Sequence, residues 1–267
     1  MITVKDLTIS FNGFVAVDAI NFAVSAGEVV GILGSNGAGK SSTMKALAGI
    51  IRPASGNIIV DSHTLTNIKE EERAKRVLGY CPDVGGLVVG ATPREHIQLL
   101  LSLHKAPDRY SRGLYLVDKI GLAEFLDTPV GGFSHGMSRR LSVVLATLAS
   151  SKVLILDEPF DGVDPVGVDS IEQIINEAKA AGLAVVVCTH LQSILTRVSD
   201  NMIVMRKGSI IERMPSSELR GEVGEALYKK ILADSDKAEK DAKLALLNPV
   251  VVAELAELED QIAVEDK

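Results

Sequence analysis

The sequence predicts an α/β chain folded around one strand–loop–helix unit, and three observations carry that expectation. Gly34-Ser35-Asn36-Gly37-Ala38-Gly39-Lys40-Ser41-Ser42 matches the phosphate-loop pattern G-x-x-x-x-G-K-[ST]. Two continuous apolar runs, Val153-Leu154-Ile155-Leu156 and Ala184-Val185-Val186-Val187-Cys188, read as parallel strands buried on both faces. Between the loop and these runs, a stretch ending near residue 150 is almost wholly helical in pattern, so a helical block interrupts the strand–helix alternation.

The elements follow in order. Ile2-Thr3-Val4, Leu7-Thr8-Ile9-Ser10 and Ile20-Asn21-Phe22-Ala23-Val24 alternate as short strands, with turns at Asn12-Gly13 and Ala26-Gly27. Phe11 and Phe14 flank the first turn. An aromatic ring here can stack on a nucleotide base or fill the core, and the residues alone leave both readings open. Val29-Val30-Gly31-Ile32-Leu33 leads into the glycine-rich loop as a buried strand. Thr43 to Ala48 leads out as a helix that Gly49 is placed to end. Glycines let backbone N–H groups approach an anion with no Cβ in the way, and the helix N-terminus adds partial positive charge. Lys40 can then reach the β- and γ-phosphates, and the Ser41 hydroxyl can hold Mg²⁺.

Asn57 to Asp61 reads as a strand, Glu70 to Lys75 as a solvated charged helix, and Val77 to Cys81 as a short apolar run ending at Pro82-Asp83. The apolar, glycine-rich segment Val84 to Gly90 either meets a partner helix or tucks into its own domain. Thr92-Pro93-Arg94-Glu95 is a capping-box start for a helix with Ile97, Leu100, Leu101 and His104 on one face. Leu116, Ile120, Leu122 and Leu126 form a second apolar set. A third helix begins near Ser134, with Met137, Leu141, Val144, Leu145 and Leu148 aligned. Asp164 caps a helix with Pro165 at its first position, and Lys207-Gly208 joins a hairpin. From about residue 216 the chain is charged and helix-favouring. Asn248-Pro249 reads as a cap, and Val251, Leu255, Leu258 and Ile262 as a short seam for docking or dimerisation.

Composition bounds the partners. The chain has 267 residues, 24% charged and 46% apolar, an ordinary globular balance. A formal net charge of −7 weighs against a nucleic-acid partner. Cys81 and Cys188 sit in or beside apolar runs, which predicts reduced, buried thiols and a cytosolic setting. No charged-then-apolar leader opens the chain, and no apolar run approaches the roughly 20 residues that span a bilayer. Any membrane component therefore belongs to another chain.

Beyond the phosphate loop, Leu154-Ile155-Leu156-Asp157-Glu158-Pro159 puts two carboxylates at the end of a buried strand, the edge where such sheets bind ligands. Asp157 is placed to hold Mg²⁺. Glu158 can face the γ-phosphate and orient or deprotonate a water. His190 ends the next buried strand in the same way. A lone histidine is often structural, but this position raises a functional role.

The phosphate loop, the Asp157-Glu158-Pro159 strand, Asp161-Gly162-Val163-Asp164-Pro165 and His190 resemble the ATP-binding-cassette ATPases in order and spacing. Phe133-Ser134-His135-Gly136-Met137 lies where that family carries its Leu-Ser-Gly-Gly-Gln signature. The resemblance covers roughly residues 1–215. It implies a RecA-like core with an antiparallel β subdomain and an inserted helical subdomain at about 84–150, followed by a helical extension over 216–267. It implies ATP and Mg²⁺, held between one cassette's phosphate loop and the signature of a second cassette, identical or not. By this resemblance Phe11 stacks on the base, Ser134 and Gly136 meet the γ-phosphate in trans, and Asp164 lies in a loop crossing the pair. Lys40, Glu158 and His190 are then the catalytic set.

Two positions depart from the family pattern. Asp83 stands where Gln is usual, after Tyr80-Cys81-Pro82. It can ligate Mg²⁺, yet it repels a γ-phosphate. His135 replaces the first signature glycine, where an imidazole can crowd a phosphate or, protonated, attract it. With Lys40, Ser41, Asp157, Glu158 and His190 intact, turnover is expected to be altered but retained. Met137 in place of Gln is a variation found among drug- and lipid-type exporters. The resulting expectation is the ATPase subunit of a transporter, bound through an integral membrane permease to the cytoplasmic face of the membrane, in the manner of exporters of drugs, polysaccharides or lipids. A soluble cassette ATPase and a low-turnover nucleotide-dependent scaffold are the alternatives.

Overall fold

The computed structural model describes residues 1–245. Asn248-Pro249 and the seam from Val251 to Ile262 lie outside the described residues. The chain divides into two units, the first Met1–Arg220 and the second beginning at Gly221.

The first unit opens with β1 (Ile2–Phe11) and β2 (Phe14–Val24), two long antiparallel strands where the sequence suggests three short ones. Register shifts along the pair absorb Asp6 and Ala19, both at positive φ, so the alternation is broken without ending either strand. β3 (Val29–Leu33), the loop and α1 (Lys40–Leu47) follow. Next come β4 (Ser55–Val60), β5 (His63–Thr64), α2 (Ile68–Lys75) and β6 (Leu78–Cys81). The helical block is α3 (Pro93–His104), α4 (Tyr110–Lys119) and α5 (His135–Ala149), joined by short 3-10 turns. Alternation resumes with β7 (Val153–Asp157), α6 (Pro165–Ala180), β8 (Ala184–Cys188), α7 (Gln192–Val198), β9 (Asn201–Arg206) and β10 (Ser209–Pro215).

Two sheets result. One is antiparallel, ordered β2-β1-β4-β5. The other is ordered β10-β9-β3-β8-β7-β6, parallel except for the β10 edge. Every residue of β3, β7 and β8 is buried, as continuous apolar strands covered on both faces must be. Met44 and Leu47 of α1 join one apolar cluster with Ile2, Val17 and Ile58 of the first sheet and Ile32, Ile155 and Val186 of the second, so the helix that follows the loop is held by both sheets. Cys81 and Cys188 are buried and free, and burial pushes the Cys81 thiol up to about 12.

β6 and α5 touch at backbone level. A Cβ at Gly79 would overlap the Ala146 carbonyl oxygen, so no side chain fits there. Gly79→Ala is expected to cost about 3 kcal/mol or more, read as a fall in unfolding midpoint. Unchanged stability would show that this contact gives way.

α4 is pinned to α6 through Glu177, which accepts from Arg112 (2.7 Å) and Tyr115 (2.9 Å) and pairs with Lys119 (2.8 Å). Burial pushes its carboxyl up, but Lys119, Arg112 and Tyr115 outweigh this and hold it near 2. A depressed carboxyl stabilises the fold fully above its unfolded pKa near 4.5 and loses that contribution as pH falls towards about 2. Glu177→Gln should cost about 1 kcal/mol at neutral pH, after solvent screening, and progressively less as pH falls below 4.5 and through about 2, as denaturation across that range would show.

In the second unit, α8 (Gly221–Ala245) is a single long helix. Among the described residues no helix is long and apolar enough to cross a membrane.

Candidate nucleotide site

β3 delivers the chain into the loop, and Gly39 closes it as the N-cap of α1 at φ 97. That left-handed conformation, and a would-be Cβ at 2.6 Å from the Ala16 carbonyl oxygen, both demand glycine. Lys40 begins the helix and is almost wholly buried. Its Nζ donates to the carbonyls of Gly34 (2.9 Å) and Ser35 (3.2 Å), so the ammonium folds back over the loop. A cavity of about 870 Å³ opens in front of it. Asn36, Gly37, Ala38, Gly39, Lys40, Ser41 and Ser42 form one wall, and Phe11, Phe14 and Ala16 stand at one end. Asp83, Glu158, Asp161 and His190 complete it. Phe11 and Phe14 are 46% and 68% exposed, so neither fills the core.

Asp157 ends β7 completely buried. Its Oδ1 accepts from Ser41 Oγ at 3.3 Å, while Oδ2 has no hydrogen-bond partner. Burial raises its pKa above the usual carboxylate range. A buried carboxylate oxygen without a donor, beside a serine hydroxyl, offers the hard oxygen ligands that suit a divalent cation such as Mg²⁺.

Glu158 takes φ 48, an uncommon conformation for a residue with a Cβ, and its N–H donates to the Cys188 carbonyl at 2.9 Å. This turns the carboxylate out of the sheet edge. There Oε2 accepts from His190 Nδ1 at 3.1 Å and lies 3.4 Å from the His190 backbone N–H. The two neighbouring strand ends thus meet over the cavity.

Asp83 borders the same space and is held from behind. The buried guanidinium of Arg139 on α5 donates to the Pro82 carbonyl (2.6 Å) and the Asp83 carbonyl, and lies 3.5 Å from Asp83 Oδ1. Ser134, Gly136 and Asp164 are elsewhere. Ser134 caps α5 by accepting from the Met137 N–H (3.2 Å), and Asp164 caps α6 by accepting from the Gly167 N–H (2.6 Å). None of the three lines the cavity in front of Lys40. The structure also brings in Ala16 and Asp161, to which sequence reading assigns no site role, and places Phe14, open in the sequence between base and core, beside Phe11. Asp161 could have been found from its place three residues beyond Glu158; Ala16 carries no sequence signal.

A phosphate loop at the carboxyl edge of a parallel sheet, with a buried carboxylate behind its serine, defines a P-loop nucleotide-binding protein. The comparisons refine that class. The profile of the ABC transporter family matches residues 17–161, and the chain belongs to that family. It is 29% identical over 221 residues to the lipopolysaccharide export system ATP-binding protein LptB of Escherichia coli strain K12, covering 82% of this chain and 92% of the relative. It is 30% identical over 226 residues to the bacitracin transport ATP-binding protein BcrA of Bacillus licheniformis, covering 82% of this chain and 71% of that one. A solved ATP-binding subunit of an ABC transporter superposes with a TM-score of 0.80 at 28% identity, over 87% of this chain and 99% of the other. A dimeric bacterial ABC transporter cassette shares the fold, with a TM-score of 0.75 at 22% identity over 83% of this chain and all of its own. The chain is thus an ATP-binding cassette and an ATPase. Such cassettes work in pairs with ATP and Mg²⁺ and act on a membrane permease.

Proposed function

We propose that this chain drives export through a separate integral membrane permease, peripherally attached at the cytoplasmic face, and that its two-cassette pair closes on ATP and reopens on hydrolysis. The observation that carries the reading is the convergence of Lys40, the Ser41–Asp157 contact and the Glu158–His190 contact on one cavity. The similarity to LptB and BcrA, named for lipopolysaccharide export and bacitracin transport, supports export as the direction.

Each residue has a role in this reading. Phe11 stacks on the base at the open end. The backbone N–H groups from Gly34 to Gly39, with Ser42 beside them, cradle the phosphates. Lys40 exchanges its carbonyl contacts for the β- and γ-phosphates. Ser41 and Asp157, with Asp83 bordering the same cavity, would hold Mg²⁺, which would supply positive charge to screen the phosphates. Glu158 takes the proton of the attacking water, and His190 holds its carboxylate in place through the 3.1 Å contact. Ser134, Gly136 and Asp164, which lie outside their own cavity, serve the partner cassette's nucleotide.

Isolation of the full chain from solubilised native membranes tests the assignment. One integral membrane chain should accompany it in constant ratio and change its ATPase rate. Recovery without any membrane chain, at full ATPase rate, would overturn the reading in favour of a soluble cassette.

A further inference from the structure

The N-terminal turns of α5 hold two carboxylates of the cavity in the same chain. His135 Nε2 lies 3.0 Å from Asp161 Oδ2, and Arg139 reaches Asp83 one turn further along. Both acids line the nucleotide cavity beside Lys40 and Glu158. The joint under His135 is tight. A Cβ at Gly136 would come 2.6 Å from the Gly162 carbonyl oxygen, and one at Gly162 would overlap the imidazole ring. The helix start and the loop after Glu158 therefore sit backbone to backbone, and the imidazole spans them. A carboxylate only accepts, so Nε2 carries the proton that it donates to Asp161.

Asp161 has a physical problem that Glu158 and Asp157 do not share. It carries a negative charge at the wall of a cavity built for a triphosphate, and the mechanism gives it no proton to move and no metal to hold. Its side chain is half-exposed, and in any rotamer that faces the cavity its carboxylate repels a terminal phosphate. A donor on the side away from the phosphate removes that problem. The backbone contact at Gly136 and Gly162 leaves His135 the side chain placed to supply it.

We propose that His135 is a positioning residue for nucleotide binding, holding the Asp161 carboxylate away from the terminal phosphate of the ATP bound by its own chain. The proposal rests on the reading of the Lys40 cavity as the ATP site. Arg139 restrains Asp83 in the same sense, from the next turn of the same helix. The histidine at the first signature position is thereby matched to an acid in the loop after Glu158, a pairing within one chain rather than a contact across the pair.

The test is nucleotide affinity of the full chain, measured with MgATP and with MgADP. His135→Ala should weaken MgATP binding roughly fivefold or more and MgADP less than twofold, because the repelled group is the terminal phosphate. His135→Asn, whose amide can still donate, should recover most of the loss. In an Asp161→Asn background, the further change His135→Ala should have no effect on MgATP. Equal losses for the two nucleotides, or a loss that persists without the Asp161 charge, would show that His135 merely supports the helix and would overturn the proposal. So would unaltered MgATP affinity in His135→Ala. Lys40→Ala, run in parallel, separates the two readings: if it leaves both nucleotides bound as before, the cavity reading itself fails.

Discussion

Glu158→Gln should bind MgATP with affinity within a few-fold of the parent chain and lose turnover by about 100-fold or more. The amide oxygen can still accept from His190 Nδ1, so the strand ends stay joined; what is lost is the group that takes a proton from water. The backbone supports this assignment. A φ of 48 at a residue with a Cβ is an uncommon conformation that the surroundings must enforce, and here the bond from its N–H to the Cys188 carbonyl does so. With hydrolysis blocked and binding kept, the ATP-bound pair of chains should accumulate, visible as a doubling of mass in sedimentation when MgATP is present. A variant with half the original rate would remove Glu158 from the chemistry.

Much of this site is legible in the sequence because its parts are local. The phosphate loop needs glycines, a lysine and a serine within nine residues, and no other structure explains that set as well. Asp157 and Glu158 are legible because a fully buried strand ends at them, and the caps at Thr92, Ser134 and Asp164 because a capping side chain acts within three residues. What the sequence conceals is pairing at a distance. Asp161 and His135 are 26 residues apart, and only the close approach of Gly136 to Gly162 brings them together. Arg139 reads as one more position on a helix, yet it is buried and grips the chain at Pro82 and Asp83. Alternation in the first thirty residues breaks at Asp6 and Ala19. Bulges keep the strands intact there, a possibility that periodicity alone does not register. Phe11 differs again. Its residue type suits a core or a base equally, and its exposure beside the cavity excludes the core.

Lys40→Ala should abolish useful ATP binding. In the folded chain the ammonium is buried against two loop carbonyls that point it along the cavity wall, so little reorganisation separates this pose from one on the β- and γ-phosphates. Charge-assisted hydrogen bonds of this kind contribute about 1.5–3 kcal/mol each, so losing them lowers affinity by roughly 100-fold. The carbonyls of Gly34 and Ser35 can turn to solvent in the open cavity, and the fold should survive. Calorimetric titration of MgATP into the intact chain and into Lys40→Ala is the most direct measurement. Saturable binding of one nucleotide per chain that weakens at least 100-fold in the variant is the expected result. Equal affinity in the two proteins, or no binding to the intact chain, would contradict the account.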